Sequence, residues 1–405
     1  MKKVFAMLML FTVMILNGCD TDATENEVEL NPQEEQYTLE DVDLEVGLDS
    51  EEDDPQEEQY DSDDEDESQV DYSPLVGLRG FPVATGDHGY LGVQWIEHMN
   101  DYLPNRLAFS DRELETAEWI EKTLLEIGFA ESQIEMQTFG IDTTTSSWWG
   151  SASRLIEWFE TSGYYNGLER LNDSQNVILT IPGRSEETIV IGAHYDGVNN
   201  PGISDNAGGT VLLLESAYRM RNIDHYYTLQ YVFFGAEEVG LIGAFYFVDN
   251  MTEEEIDNLI MMINADVIMD GPDLIYAIGS IDNLPQYPMD ILWGGLTEIS
   301  QSSLSEQIKG IADRLNVEHG TELMSKPHAI TLASDQLAFV QFDFPVMVFY
   351  GTHPVTYPEV FDGDVLHTEF DCLDFIVENH PGRVERALYE FGLFLEEVLS
   401  SEFVQ

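Results

Sequence analysis

Five short apolar runs constrain this chain more than any other feature. Asn176–Ile181, Thr188–Ala193, Thr228–Phe234, Leu259–Ala265 and Pro345–Tyr350 contain no charged residue. They are short for helices and too continuous for strands with one wet face, so they read as strands buried on both sides. Helical patterns stand between and around them, at Thr210–Met220, Val239–Val248 and Arg383–Leu399. Ser110-Asp111-Arg112-Glu113 is a capping-box pattern that opens another helix, with apolar Leu114, Ala117, Ile120, Leu124 and Ile127 and a closing Gly128. Strands alternating with helices predict an α/β three-layer sandwich, a mostly parallel mixed sheet flanked by helices. Trp148–Tyr165 is aromatic and dotted with Gly and Ser, which leaves open an insertion near a pocket or a packed surface hairpin.

The first residues read as an address. Lys2 and Lys3 precede an apolar run from Val4 to Leu16, short for a bilayer span and the length of an export-signal core. The run ends in Leu16-Asn17-Gly18-Cys19, which resembles a bacterial lipobox. That resemblance implies a signal peptide over residues 1–18 and a lipid on Cys19. The protein would then be anchored in the cell envelope, facing the periplasm or the exterior. Residues 20–71 hold 25 of the chain's 78 Asp and Glu and none of its 16 Lys and Arg. Such a segment repels itself and lacks the apolar surface to fold. Residues 19–72 are therefore expected to be a disordered tether and residues 73–405 the folded domain. Calcium buffering by Asp61–Glu67 is the weaker alternative, since no glycine-turned ligand loop accompanies it.

The domain keeps 53 acidic against 14 basic residues. That balance excludes affinity built on nucleic-acid phosphates or a polybasic hold on membranes. It suits high salt or plain solubility. Two cysteines, Cys19 and Cys372, exclude a disulfide scaffold, and Cys372 is expected to be a buried free thiol.

In open α/β sheets chemistry gathers at the C-terminal ends of strands. Thr188–Ala193 runs into His194-Tyr195-Asp196, where an imidazole can bind metal and a carboxylate two residues on can orient it. Ser204-Asp205-Asn206-Ala207-Gly208-Gly209 precedes a helix; it is an ordinary cap or a carboxylate around which glycines close the backbone. Thr228–Phe234 ends in Gly235-Ala236-Glu237-Glu238, two glutamates that are costly to bury unless something positive meets them. Leu259–Ala265 delivers Asp266, and His367-Thr368-Glu369-Phe370-Asp371 sets a second histidine beside acids. The other seven histidines read as ordinary, with His353 worth watching because it follows a strand.

In order, His-x-Asp, Ser-Asp-Asn, Glu-Glu, Asn-Ala-Asp and His-Thr-x-x-Asp closely resemble the secreted aminopeptidases with two co-catalytic zinc ions, the metallopeptidase family numbered twenty-eight. The resemblance runs from Asn176 to Asp266, resumes over Ser334–Tyr350 and closes at His367–Asp371. It implies a zinc exopeptidase-like fold, two Zn²⁺ ions per chain, peptide substrates and hydrolysis by metal-activated water. It implies that His194 and Asp266 hold one zinc ion, that Glu238 and His367 hold the other, and that Asp205 bridges them. Glu237 would be the general base, Asp196 would orient His194, and the peptide Asp205-Asn206 would be cis. Two dications against three ligand carboxylates leave a net positive site, and Glu237 and Asp266 are natural partners for a free α-amine. With no Arg or Lys inside these motifs to grip a terminal carboxylate, the amine end is favoured. Two departures from the family pattern, Ser334-Asp335-Gln336 where Ser-Asp-His is common and Leu366 where Tyr is common, leave the ligands intact and bear on how substrate is held. The rival readings are a single-zinc glutaminyl cyclase-like enzyme and a lipoprotein that binds peptides without cutting them.

Overall fold

The apolar runs are continuous because alternate residues serve two cores. In a computed structural model, which describes residues 83–141, 152–165, 167–280, 296–326, 329–331, 333–340, 342, 345–352 and 365–403, ten strands run in chain order. They are β1 Ile134–Gly140, β2 Asp173–Ile181, β3 Thr188–His194, β4 Thr228–Phe234, β5 Leu259–Ala265, β6 Asp273–Gly279, β7 Leu296–Glu298, β8 Met324–Ser325, β9 Ala329–Thr331 and β10 Val346–Thr352. Eight form one sheet in the order β1-β2-β4-β3-β5-β10-β6-β8, and β7 pairs with β9. The centre, β4-β3-β5-β10, is parallel, whereas β1-β2, β2-β4 and β10-β6 are antiparallel.

Within each central strand the side chains alternate between faces, as the pleat requires. Ile189, Ile191 and Ala193 of β3 join one core, with Leu229, Tyr231 and Phe233 of β4 and Met261, Ile263 and Ala265 of β5. Val190, Val232, Phe234 and Met262 join the other. The first core is covered by the helices Tyr90–Tyr102, Asp111–Glu126, Gly208–Met220, Ser303–Glu318 and Arg383–Ser400. The second is covered by Ile242–Asp249 and Gln336–Phe339. The three-layer sandwich expected from the sequence is what the chain forms.

Local signals hold with small shifts. Ser110 caps the helix Asp111–Glu126 by accepting from the Glu113 amide at 3.1 Å. Glu113 does not return to Ser110 as a capping box requires. It is buried and accepts from the amides of Phe109 and Ala236 and the hydroxyl of Ser174 at 2.6, 2.9 and 2.8 Å. The helix expected from Val239 begins at Ile242, because Gly240 and Leu241 adopt positive φ. Within Trp148–Tyr165, the described part is a helix, Ala152–Thr161, not a hairpin. Phe159 and Tyr165 pack in a third cluster with Phe109, Phe139, Ala236 and Val239, so this segment backs the Glu237 loop. Cys372 is half-buried at the start of the helix Leu373–Asn379 rather than buried. No helix among the described residues is long and apolar enough to cross a membrane. The signal and tether expectations, His328 and His353 fall outside the described residues.

Candidate metal centre

Three neighbouring parallel strands, β4, β3 and β5, end side by side and deliver Glu237-Glu238, His194 and Asp266 to one edge. Asp205 comes from Ile203–Ala207, just before the helix Gly208–Met220, and His367 from the segment after β10. The peptide Asp205-Asn206 is cis, as the resemblance implies.

The five expected ligands converge. His194 Nε2 lies 3.2 Å from Asp205 Oδ1 and 3.1 Å from Asp266 Oδ1. His367 Nε2 lies 3.0 Å from Asp205 Oδ2 and 3.3 Å from Glu238 Oε2. Asp205 thus turns one oxygen to each imidazole. Glu237 joins His194 and Asp266 in a group whose candidate ligand atoms all lie within 4.8 Å of one another, and Asp205 and Glu238 form another such group with His194.

These contacts fit divalent cations. A neutral imidazole has one N–H. His194 Nδ1 is 3.2 Å from the Asp196 carbonyl and 3.5 Å from its carboxylate, so the proton belongs there. The Nε2 lone pair then faces two carboxylate oxygens, so either a second proton or a metal cation must lie between them. Glu238 Oε1 is buried with no hydrogen-bond partner, an orphan that a metal bond would satisfy. Asp335, fully buried, has neither oxygen partnered.

Charge explains the proton affinities of the metal-free chain. Burial pushes Glu238 up to about 7, with Asp205 adding to it against His367. Burial also carries Glu237 well above the carboxylate range, helped by Glu238, Asp335 and Asp266 and opposed by His194. Burial lifts Asp335 as well, with Asp266, Asp196 and Glu238 adding against His194. For His194, burial works downward, but Glu237, Asp266, Asp196 and Asp205 outweigh it and hold the imidazole well above its ordinary value. His367 is raised in the same way, by Glu238 and Asp205 against desolvation. Asp205 is the exception: burial pushes it up, yet hydrogen bonds to His194 and His367 win and keep it below the usual range.

Asp196 does more than face His194. Its Oδ1 accepts from the Glu237 amide at 3.0 Å and its Oδ2 from the Glu238 amide at 3.2 Å. One acid therefore sets both the imidazole and the paired glutamates.

Arg106 was not legible as part of the site. It is 1% exposed and donates to the carbonyls of Tyr195 (2.7 Å), Leu103 (3.1 Å), Pro201 (2.7 Å) and Gly202 (2.8 Å). It staples the end of β3 to the approach of Asp205. Burial lowers its pKa to about 10, still charged at neutral pH, with Asp371, Asp196 and Asp205 opposing the shift. Gly202 must stay small here: its φ is +60°, and a Cβ would lie 2.6 Å from the Asp205 carbonyl and 2.8 Å from Arg106. Arg106→Met takes a charged donor from four carbonyls, of which that of Gly202 keeps the Ala207 amide at 2.9 Å. We expect a loss of at least about 3 kcal/mol, read as a lowered urea midpoint at unchanged slope.

Comparison with known proteins follows this geometry. The chain matches the family model for peptidase family M28 over residues 176–392. Aminopeptidase YwaD of Bacillus subtilis is 34% identical over 83 residues, 20% of this chain and 18% of that protein. The chain spans between about a fifth and a third of the length of the first curated relatives it matches. The solved zinc aminopeptidase BSAP from Bacillus subtilis superimposes with a TM-score of 0.57 at 15% identity, covering 79% of this chain and 97% of that one. A glutaminyl cyclase from an Acidobacteriales bacterium superimposes with a TM-score of 0.54 at 19% identity, covering 77% and 94%. The matched span takes in His194, Asp205, Glu237, Glu238, Asp266 and His367, and more than half of the sequence; the chain belongs to peptidase family M28.

Proposed function

We propose that this protein is a zinc-dependent exopeptidase, an aminopeptidase that releases N-terminal residues from peptides outside the cytoplasm. The observation that carries the reading is the split of Asp205, one oxygen to His194 and one to His367. That split supports two cation seats sharing one carboxylate. His194 and Asp266 would complete the first seat, and Glu238 and His367 the second. Bound zinc supplies Lewis acidity, polarising a peptide carbonyl and acidifying water. Glu237 is free for the proton: its carboxylate takes one from the attacking water and returns it to the departing amine nitrogen. Its amide is pinned by Asp196, so the carboxyl is presented from a fixed backbone.

The amine end is supported by what Arg106 does. This cation beside the centre is consumed by backbone carbonyls and leaves no guanidinium fork there for a terminal carboxylate. Lys2, Lys3, the apolar run and Leu16–Cys19 support export and a lipid anchor on Cys19, with residues 19–72 as a tether and 73–405 as the peptidase domain.

A panel of aminoacyl-nitroanilides, assayed as purified, after chelation and after zinc add-back, tests the activity. We expect hydrolysis that chelation abolishes and zinc restores. Cyclisation of N-terminal Gln without nitroanilide hydrolysis would instead establish the cyclase reading. Peptide binding with neither reaction would establish the non-catalytic one.

A further inference from the structure

Each of three ligand-bearing segments carries, one to four residues beyond its ligand, a side chain that grips the backbone of the next. Asn206, beside Asp205, donates from Nδ2 to the Ala265 carbonyl at 2.9 Å and so holds the residue before Asp266. Asp270, four residues beyond Asp266, accepts on one oxygen from the amides of Val365 and Leu366, both at 2.8 Å, and so holds the approach to His367. Asp371, four residues beyond His367, accepts from the amides of Ser204 and Asp205 at 2.6 and 3.1 Å. The third grip returns to the first segment, so the three segments form a closed ring. Asn206, Asp270 and Asp371 are all buried. The His194 and Glu237-Glu238 segments lie outside this ring and are joined to each other by Asp196.

We propose that Asp270 and Asp371 are positioning residues of the centre, and that with Asn206 they lock Asp205, Asp266 and His367 as one mechanical unit. The proposal rests on the metal reading above for its consequence, while the ring's hydrogen bonds join protein groups only. A carboxylate accepts from two amides at once. The isosteric amide keeps one acceptor oxygen and presents an NH₂ group, so Asp371→Asn, whose two oxygens serve different amides, leaves N–H facing N–H. Asp270 uses a single oxygen for both amides, and its link is broken by Asp270→Ala, which removes the acceptor. Opening one link leaves the two segments it joined held from one side only, and a loosened segment holds its next neighbour less firmly. Partners of metal ligands of this kind typically govern about 10–100-fold in metal affinity.

The test uses Asp270→Ala and, as an independent entry to the same ring, Asp371→Asn, with Asp196→Asn as the control outside it. In the metal-free proteins, hydrogen exchange is read on peptides covering 203–209, 235–238 and 365–371. We expect Asp270→Ala to exchange at least about tenfold faster over 365–371 and also over 203–209, with 235–238 unchanged. Asp371→Asn should give the same pattern, and Asp196→Asn should speed 235–238 alone. Zinc titration should then show binding weakened about 10–100-fold at both seats in Asp270→Ala, because Asp205, Asp266 and His367 serve both. Faster exchange confined to the mutated link, or spread evenly over the whole chain, would overturn the ring. So would unchanged zinc affinity in a wild type that binds two ions. A wild type that binds no zinc would sink the metal reading while the exchange pattern still decides the ring.

Discussion

Glu237→Gln lowers kcat by about 10²–10⁴ while the zinc content and KM stay close to wild type. The substitution preserves shape and removes only the ability to take and return a proton. Glu237 suits that task because burial and the neighbouring acids Glu238, Asp335 and Asp266 raise its proton affinity, and a base works best when its pKa approaches the working pH. The proposed ligands are His194, Asp205, Glu238, Asp266 and His367, so metal binding is expected to survive. The acidic limb of the pH profile of kcat/KM should disappear with the carboxyl. A variant that loses zinc along with activity would make Glu237 a ligand. A variant with undiminished kcat would remove it from the proton path.

Stripping the metal destabilises the protein, and more so as pH rises. Glu238 and Asp371 sit at about 7 in the metal-free chain, both pushed up chiefly by burial, with Asp205 adding to each. Glu237 and Asp335 are raised as well, chiefly by burial, and both imidazoles are raised by the surrounding carboxylates. The folded chain therefore keeps protons that the unfolded chain has already released. Stability is full below the ordinary pKa of each group and is lost as pH climbs through the raised one. Asp205, whose pKa is lowered, acts oppositely, but its window lies below pH 4. Between pH 5 and 8 the metal-free protein should lose on the order of 3 kcal/mol for a single carboxyl such as Glu238. Bound cations replace the missing protons, so the zinc-loaded protein should hold its Tm across that range. Thermal melts of chelated and zinc-loaded samples at pH 5, 6, 7 and 8 read this directly. A gap between the two that narrows with rising pH would contradict the electrostatic account.

Much of this centre is visible in the sequence because its ligands stand at the ends of uncharged strands. His194 closes β3, Asp266 follows β5, and Glu237-Glu238 follow β4 by two residues. An acid or imidazole there breaks the local apolar pattern, and the fold class predicts that such ends meet. The supporting layer is hidden for an equally physical reason. Glu113, Arg106 and Asp270 act on backbone amides and carbonyls far along the chain, and a backbone group carries no sequence mark. Glu113 even resembles a helix cap while bracing Ala236. The antiparallel edge was hidden too, because β1, Ile134–Gly140, is only partly buried and lacks a long apolar run.

The central claim is that Asp205 stands between two cation seats. Zinc bound per chain, measured by elemental analysis of the saturated, dialysed protein, tests it most directly. Two ions in the wild type and one in His367→Ala are the expected values; one ion or none in the wild type would contradict the account.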